Sequence, residues 1–181
     1  GQTLADGTPA KPVAEVVGLT HDIAKLTRWA QKHLRGEPFQ HSDEYRYHAF
    51  PGALVTLYCL LECRDDVGDH AARVATLVVA GHHDTQSPPE PSKLAENYGR
   101  TTVEVRETYE RVDDQFGDIG DEVSERADRI IRAATDGAGA WDDFREWHDN
   151  RVEPIDGAHD HLIYFARMGK SDARVGYYGD V

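Results

Sequence analysis

Four of the ten histidines, together with one aspartate, form a pattern that could hold a metal ion. The pattern has a His-Asp pair, a single histidine and a His-His pair, which are His21-Asp22, His48 and His82-His83. Imidazole and carboxylate groups are ligand types suited to Mn, Fe, Co, Ni or Zn. Because neighbouring residues of a helix point about 100° apart, adjacent ligands share one metal only across a common edge. Two such adjacent pairs of ligand-type residues are difficult to explain by packing, and they predict a metal site.

A cation follows the His-Asp pair at a useful distance. Lys25 lies one helical turn after His21. A cation four residues from a metal-ligating histidine can contact a phosphate oxygen that the metal also holds. The combination of imidazole, carboxylate and ammonium groups therefore points to chemistry on a phosphate group.

These residues also carry a resemblance to a known family. The stretch Gly18-Leu-Thr-His21-Asp22-Ile-Ala-Lys25 resembles the Gly-Leu-x-His-Asp-Ile-Gly-Lys signature of the HD metallophosphohydrolase superfamily. Within that superfamily, two further stretches resemble the HD nuclease of type I CRISPR interference: Tyr47-His48-Ala49-Phe-Pro-Gly52-Ala53 and Val79-Ala-Gly-His82-His83-Asp84. The similarity covers residues 16–91, where the three motifs follow in the family's order at similar spacing.

The resemblance implies an all-α, HD-domain helical bundle with the metal site between helices. It implies a metal-dependent phosphodiesterase that degrades single-stranded DNA in antiviral defence, using one or two divalent ions (Mn, Ni, Co, Fe or Mg). The implied metal ligands are His21, Asp22, His48, His82, His83 and Asp172. Asp22 and Lys25 are the predicted catalytic residues: a carboxylate has two oxygens with which to bridge two ions, and the ammonium would offset charge on the phosphorus. Since the phosphate strand is gripped, no sequence preference is expected.

Two parts of the family's site differ in this sequence. Members have another ligand histidine some tens of residues before the His-Asp pair, whereas residues 1–20 contain none. Either the piece lacks its true N-terminus or the site is incomplete. The family closes its site with the Asp of a Ser-x-Leu-x-x-Ala-Asp helix. The best counterpart is Asp172, in Ala166-Arg-Met168-Gly-Lys-Ser171-Asp172, and Asp160 is the alternative.

The resemblance also implies partners: a CRISPR helicase, in the same or another chain, and a CRISPR RNA-guided surveillance complex in the cytoplasm. The sequence has no Gly-x-x-x-x-Gly-Lys-Ser/Thr loop, so it carries no helicase signature of its own. No apolar run reaches the roughly 18 residues that predict a membrane span. Two other functions stay open: an HD phosphohydrolase acting on nucleotides, and an inactive HD scaffold that binds a protein partner.

Helices must position the motifs. Apolar spacing predicts a first helix from Pro12 to Gly36 with His21-Asp22 in its middle, a second from Pro51 to about Cys63, and a third from His70 to about Ala80, closed by Gly81. His48 then precedes the second helix, and His82-His83 ends the third. Amphipathic helices are predicted within 93–134, and short helices over 141–147 and 161–168. The prediction is one all-α domain over 1–181, with 1–11 as a loose lead-in.

The net charge of −13 at first argues against a nucleic-acid partner, because the phosphate backbone supplies most of the attraction in such complexes. The charge is unevenly distributed, however. Residues 1–50 are neutral, whereas the acidic helical segment 101–150 carries −9. We therefore expect the acidic helices to face away from the metal site, and DNA affinity to be weak without a metal or a helicase partner.

Overall fold

The structure, a computed structural model, describes residues 1–38, 45, 47–83 and 102–152. Within these residues it is all-α, as predicted, with no β-strand, whereas the HD-domain identity stays a prediction. The helices are α1 (Ala10–Thr20), a 3₁₀ helix (Ile23–Leu26), α2 (Arg28–Leu34), α3 (Ala49–Leu61), α4 (Asp69–Ala80), α5 (Thr102–Gly117), α6 (Asp121–Ala134) and α7 (Trp141–Val152). None of them is long and apolar enough to cross a membrane. The helix predicted over 161–168 lies outside the described residues.

Helix α3 is the centre of the bundle. Every residue from Ala49 to Leu60 is buried, and the helix contacts α1, α4, α5, α6, α7 and the 3₁₀ helix. A helix that is apolar on all sides can be satisfied only in such a position. The second predicted helix is therefore confirmed, although it begins and ends two residues earlier than the sequence indicates.

The single helix predicted from Pro12 to Gly36 is wrong. Helix α1 ends at Thr20, the 3₁₀ helix follows, and α2 begins after Thr27, whose hydroxyl accepts a hydrogen bond from the Ala30 N–H. The apolar period continues on both sides of the break because each part buries one face against the same core. Periodicity alone therefore does not reveal the break, which places His21 and Asp22 in a turn and not in the middle of a helix.

The break is held against α3 by close backbone packing. A Cβ on Gly52 would clash with the His21 carbonyl oxygen and lie 2.9 Å from its carbonyl carbon. The Thr20 and Thr56 hydroxyls are hydrogen-bonded to each other at 2.7 Å, one turn further along α3. The glycine thus lets the turn approach the N-terminal end of α3.

The acidic segment supplies nine of the 26 buried core residues in the described part of the chain. On α5, Tyr109, Val112 and Phe116 are buried, as their spacing predicts, and Phe144 of α7 packs edge-to-face on Phe116. Helix α7 is five residues longer than predicted. The charges of these helices therefore lie on the faces opposite an aromatic core.

His148 of α7 lies inside that aromatic core. The residue is 1 % exposed, and its ring centroid lies 5.1 Å from that of Phe116 and 6.0 Å from those of Tyr109 and Phe144. The Nε2 atom has no hydrogen-bond partner among the described residues. Burial, followed by the nearby Arg145 guanidinium, lowers the pKa of His148 from 6.5 to about 4.

We predict that His148 makes the fold less stable in mild acid. Between pH 6.5 and 4 the His148 ring binds a proton in the unfolded chain but not in the folded chain. The free energy of unfolding therefore falls as the pH falls, and it levels off below about pH 4. The loss reaches at most about 3 kcal/mol, at about 1.4 kcal/mol per pKa unit. Urea unfolding from pH 7.5 to 4.5 should show a shallower pH dependence in His148→Phe than in the wild type. Parallel curves for the two proteins would contradict this assignment.

Candidate metal centre

Three separate segments bring the predicted ligands to one end of the bundle. His48 is the residue before α3, and His82-His83 follow Gly81, which ends α4. The two helices are joined by a short connection, so they run antiparallel, and the start of α3 lies beside the end of α4. The turn after α1 packs against Gly52 at the same end of α3, so the His-Asp pair lies there too.

The carboxylate of Asp22 is the centre of this cluster. Its Oδ1 atom lies 3.0 Å from His48 Nε2 and 3.9 Å from His82 Nε2. Its Oδ2 atom lies 3.3 Å from His21 Nε2 and accepts a 2.8 Å hydrogen bond from Lys25 Nζ. One carboxylate thus faces three imidazoles and an ammonium group, with a different set of neighbours on each oxygen.

The Oδ1 atom of Asp22 is buried and makes no hydrogen bond within the described part of the chain. Burial opposes the charge of this carboxylate, but the hydrogen bond from Lys25 and the charges of His21, Lys25 and His48 outweigh it and lower its pKa. An ionised oxygen that is buried without a hydrogen bond calls for an explanation. A cation between Oδ1 and the imidazoles would supply the missing partner, so the residues present fit a metal ion.

Two of the histidines are oriented by helix carbonyls. His21 Nδ1 lies 3.1 Å from the Val17 carbonyl oxygen, and His82 Nδ1 lies 2.6 Å from that of Val79. A carbonyl oxygen only accepts, so Nδ1 is the donor in each ring, and in the neutral form of the ring the lone pair is on Nε2. In both rings that lone pair is on the nitrogen nearest Asp22. Fixing the outer nitrogen in this way is the usual means of orienting a metal-ligating histidine.

His48 and His83 face each other through their Nε2 atoms, which are 2.8 Å apart. Burial, and then the neighbouring His83, lowers the pKa of His48 to about 4, and burial and His82 lower that of His83. Both rings are therefore neutral near pH 7. Nitrogens that bind one ion at about 2.1 Å each come about 3 Å apart. His48, His82 and His83 each offer one ligand atom, and these atoms lie within 4.8 Å of one another.

The structure thus brings together five of the six predicted ligands: His21, Asp22, His48, His82 and His83. The sixth, Asp172, and its alternative Asp160 lie outside the described residues, so the closing ligand stays a prediction. Lys25 contacts the carboxylate of Asp22, and its expected contact with a phosphate stays a prediction as well.

A cavity of about 420 Å³ opens beside the cluster, and its existence could not be predicted from the sequence. The described residues that line it are Lys25, Ala30, His33, Leu34, Tyr47, His48 and His83. The spacing of Ala30, His33 and Leu34 does place them on one helix face. Nothing in the sequence, however, puts that face opposite Tyr47.

The chain matches no family model, no curated protein and no solved structure. Its resemblance to HD nucleases therefore rests on the three motifs alone. The convergence of those motifs on one carboxylate is a separate observation, since the structure places the side chains in space, whereas the motifs fix only their order along the chain.

Proposed function

We propose that this protein is a metal-dependent phosphodiesterase that degrades single-stranded DNA. The observation that carries the proposal is the cluster of four imidazole rings, three of them within 4 Å of the Asp22 carboxylate, whose Oδ1 atom is buried and makes no hydrogen bond within the described residues. His48, His82, His83 and this oxygen would hold a first divalent ion, with His21 beside the second oxygen of the carboxylate. A divalent ion of this kind acidifies water and polarises a phosphoryl group.

The residues around the cluster suit a phosphate substrate. Lys25 already binds Oδ2 of Asp22 at 2.8 Å, so its ammonium group lies where it can also meet an oxygen of a bound phosphodiester. The hydrogen bonds from Nδ1 of His21 and His82 to helix carbonyls hold both rings in place. Rings held in this way can bind a metal ion without reorganising.

The open position of the cluster favours a polymer over a small enclosed substrate. The side chains of His21, Asp22 and Lys25 are 36 %, 37 % and 38 % exposed, so a continuous strand can approach them. The described residues that line the adjacent cavity include no carboxylate. Asp114 and Asp118 of the acidic segment instead bond to the Tyr45 hydroxyl and the Trp29 N–H.

The biological setting proposed here is CRISPR interference in the cytoplasm, following the resemblance of the three motifs. A helicase, in the same or another chain, would deliver the displaced strand, and an RNA-guided surveillance complex would select it. The neutral charge of residues 1–50 agrees with a site that depends on bound cations and delivery for DNA affinity.

The proposal predicts cleavage that depends on a divalent metal. Metal-free protein should leave labelled single-stranded DNA intact, and Mn, Ni, Co, Fe or Mg, added one at a time, should restore cleavage with at least one of them. A nucleotide panel and duplex DNA serve as parallel substrates. We expect the single strand to be cut at least about tenfold faster than the duplex, since only the unpaired strand exposes its base faces beside the open site.

The other outcomes separate the competing functions. If nucleotides are hydrolysed while DNA stays intact under every metal, the protein is a nucleotide phosphohydrolase. If no substrate reacts and no metal binds in equilibrium dialysis, the chain is an inactive scaffold. Either result removes the nuclease proposal.

A further inference from the structure

The cavity beside the metal cluster shares lining residues with it. Three of its lining residues, Lys25, His48 and His83, belong to the cluster itself. The remaining described lining residues come from one face of α2 and from Tyr47. Any group that fills the cavity therefore lies directly beside a phosphate bound at the metal site.

The cavity is also lined by exposed apolar side chains. The described part of the chain has five exposed large apolar side chains, which are Leu4, Leu19, Leu34, Tyr47 and Val78. Leu34 and Tyr47 are the two most exposed of these, at 63 % and 55 %, and both line this cavity. Exposed apolar groups that meet at a concave surface mark a binding site for an apolar face.

Both walls of the cavity are anchored to α5 and the residue that follows it. Gln115, which is 2 % exposed, donates hydrogen bonds from Nε2 to the backbone carbonyls of Tyr45 (2.8 Å) and Tyr47 (2.9 Å). The N–H of Trp29, at the start of α2, donates a 2.9 Å hydrogen bond to Asp118. A buried glutamine of α5 and Asp118, the residue that follows α5, thus set the separation of the two walls.

We propose that this cavity holds a nucleobase of the DNA strand, packed against Tyr47 and Leu34, while the adjoining phosphate lies at the metal cluster. The inference rests on the proposed nuclease function and adds a base subsite to it. A nucleobase supplies the flat apolar face that the walls require, and the linked phosphate meets Lys25. Every base has a stacking face, so this subsite distinguishes base-bearing from abasic strands without reading the sequence.

The test compares two strands of equal length, oligothymidylate and a strand in which every base is replaced by an abasic site. Binding is measured by fluorescence anisotropy on the full chain with divalent metal present, using strands whose linkages are all phosphorothioates so that cleavage is suppressed. The wild type should bind oligothymidylate about tenfold more tightly than the abasic strand, in the range measured for stacking on aromatic side chains. Tyr47→Ala should reduce this ratio to about one, and Leu34→Ala should lower it by a smaller factor.

Matched variants separate stacking from a general loss of binding. Tyr47→Phe keeps the aromatic face and should keep the tenfold ratio. Leu19→Ala and Val78→Ala remove exposed apolar groups that do not line the cavity, and they should keep it too. Equal affinity for the two strands in the wild type, absence of binding to either, or a ratio unchanged by Tyr47→Ala overturns the base subsite. If the protein prefers oligothymidylate to the abasic strand in a Tyr47-dependent way but cleaves no DNA, the base subsite is supported and only the nuclease function is rejected.

Discussion

Asp22→Asn should abolish metal binding and, with it, every metal-dependent activity of the protein. The substitution keeps the shape of the side chain but removes the charge on which three imidazoles and one ammonium group converge. Loss of a group that merely orients a metal ligand already costs up to about a hundredfold in metal affinity. Loss of the central ligand should cost more than that and should also eliminate DNA cleavage.

Thermal unfolding with and without metal measures this effect independently of any substrate. An ion at about a hundred times its dissociation constant stabilises the wild type by about 2.7 kcal/mol, so its melting temperature should rise on metal addition. Asp22→Asn should show no such rise, while it melts near the temperature of the metal-free wild type. Asp65→Asn, which changes an exposed aspartate in the α3–α4 connection, should respond like the wild type. A normal metal response in Asp22→Asn would show that the ion binds elsewhere.

The sequence is informative about the site because the histidines lie at helix ends. The residues that end helices are readable from apolar spacing, and Gly81 ends α4 as predicted. Two antiparallel neighbours must then bring His48 and His82 to the same end. The grouping of these ligands thus follows from element boundaries and one short connection, without any detailed packing.

The break after α1 could not be predicted in the same way. Ile23 and Ala24 are buried in the 3₁₀ helix, just as Val13 and Val16 are in α1, so the apolar spacing runs on without interruption. The turn that follows α1 is packed by a long-range contact, the approach of the His21 backbone to a glycine in α3. Local patterns do not encode such contacts.

The walls of the cavity could not be predicted from the sequence for a similar reason. Gln115 is separated from Tyr47 by 68 residues and carries no signal in the sequence that would mark it as buried. Its position on α5 lies between apolar residues that predict only one buried face. A buried amide with two backbone partners becomes visible only once the helices are packed.

Gly52→Ala should destabilise the fold and disable the metal site together. The added methyl group would overlap the His21 carbonyl, and the obstacle is backbone, which cannot rotate aside as a flexible side chain would. Overpacking of a tight core costs about 1–3 kcal/mol, and we expect the upper end here because α3 is buried along its whole first turn. To make room for the methyl group, the turn that carries Asp22 would have to move away from α3.

A matched glycine on α1 gives this prediction its control. A Cβ on Gly18 would meet nothing within 4 Å, and the residue lies in a helix. Gly18→Ala should therefore raise the free energy of unfolding by about 0.5–1 kcal/mol, because alanine loses less backbone freedom on folding. Urea unfolding should give opposite signs for the two variants, and only Gly52→Ala should lose the metal-induced rise in melting temperature. If Gly52→Ala unfolded like the wild type and kept that rise, the turn at His21-Asp22 would not depend on its contact with α3.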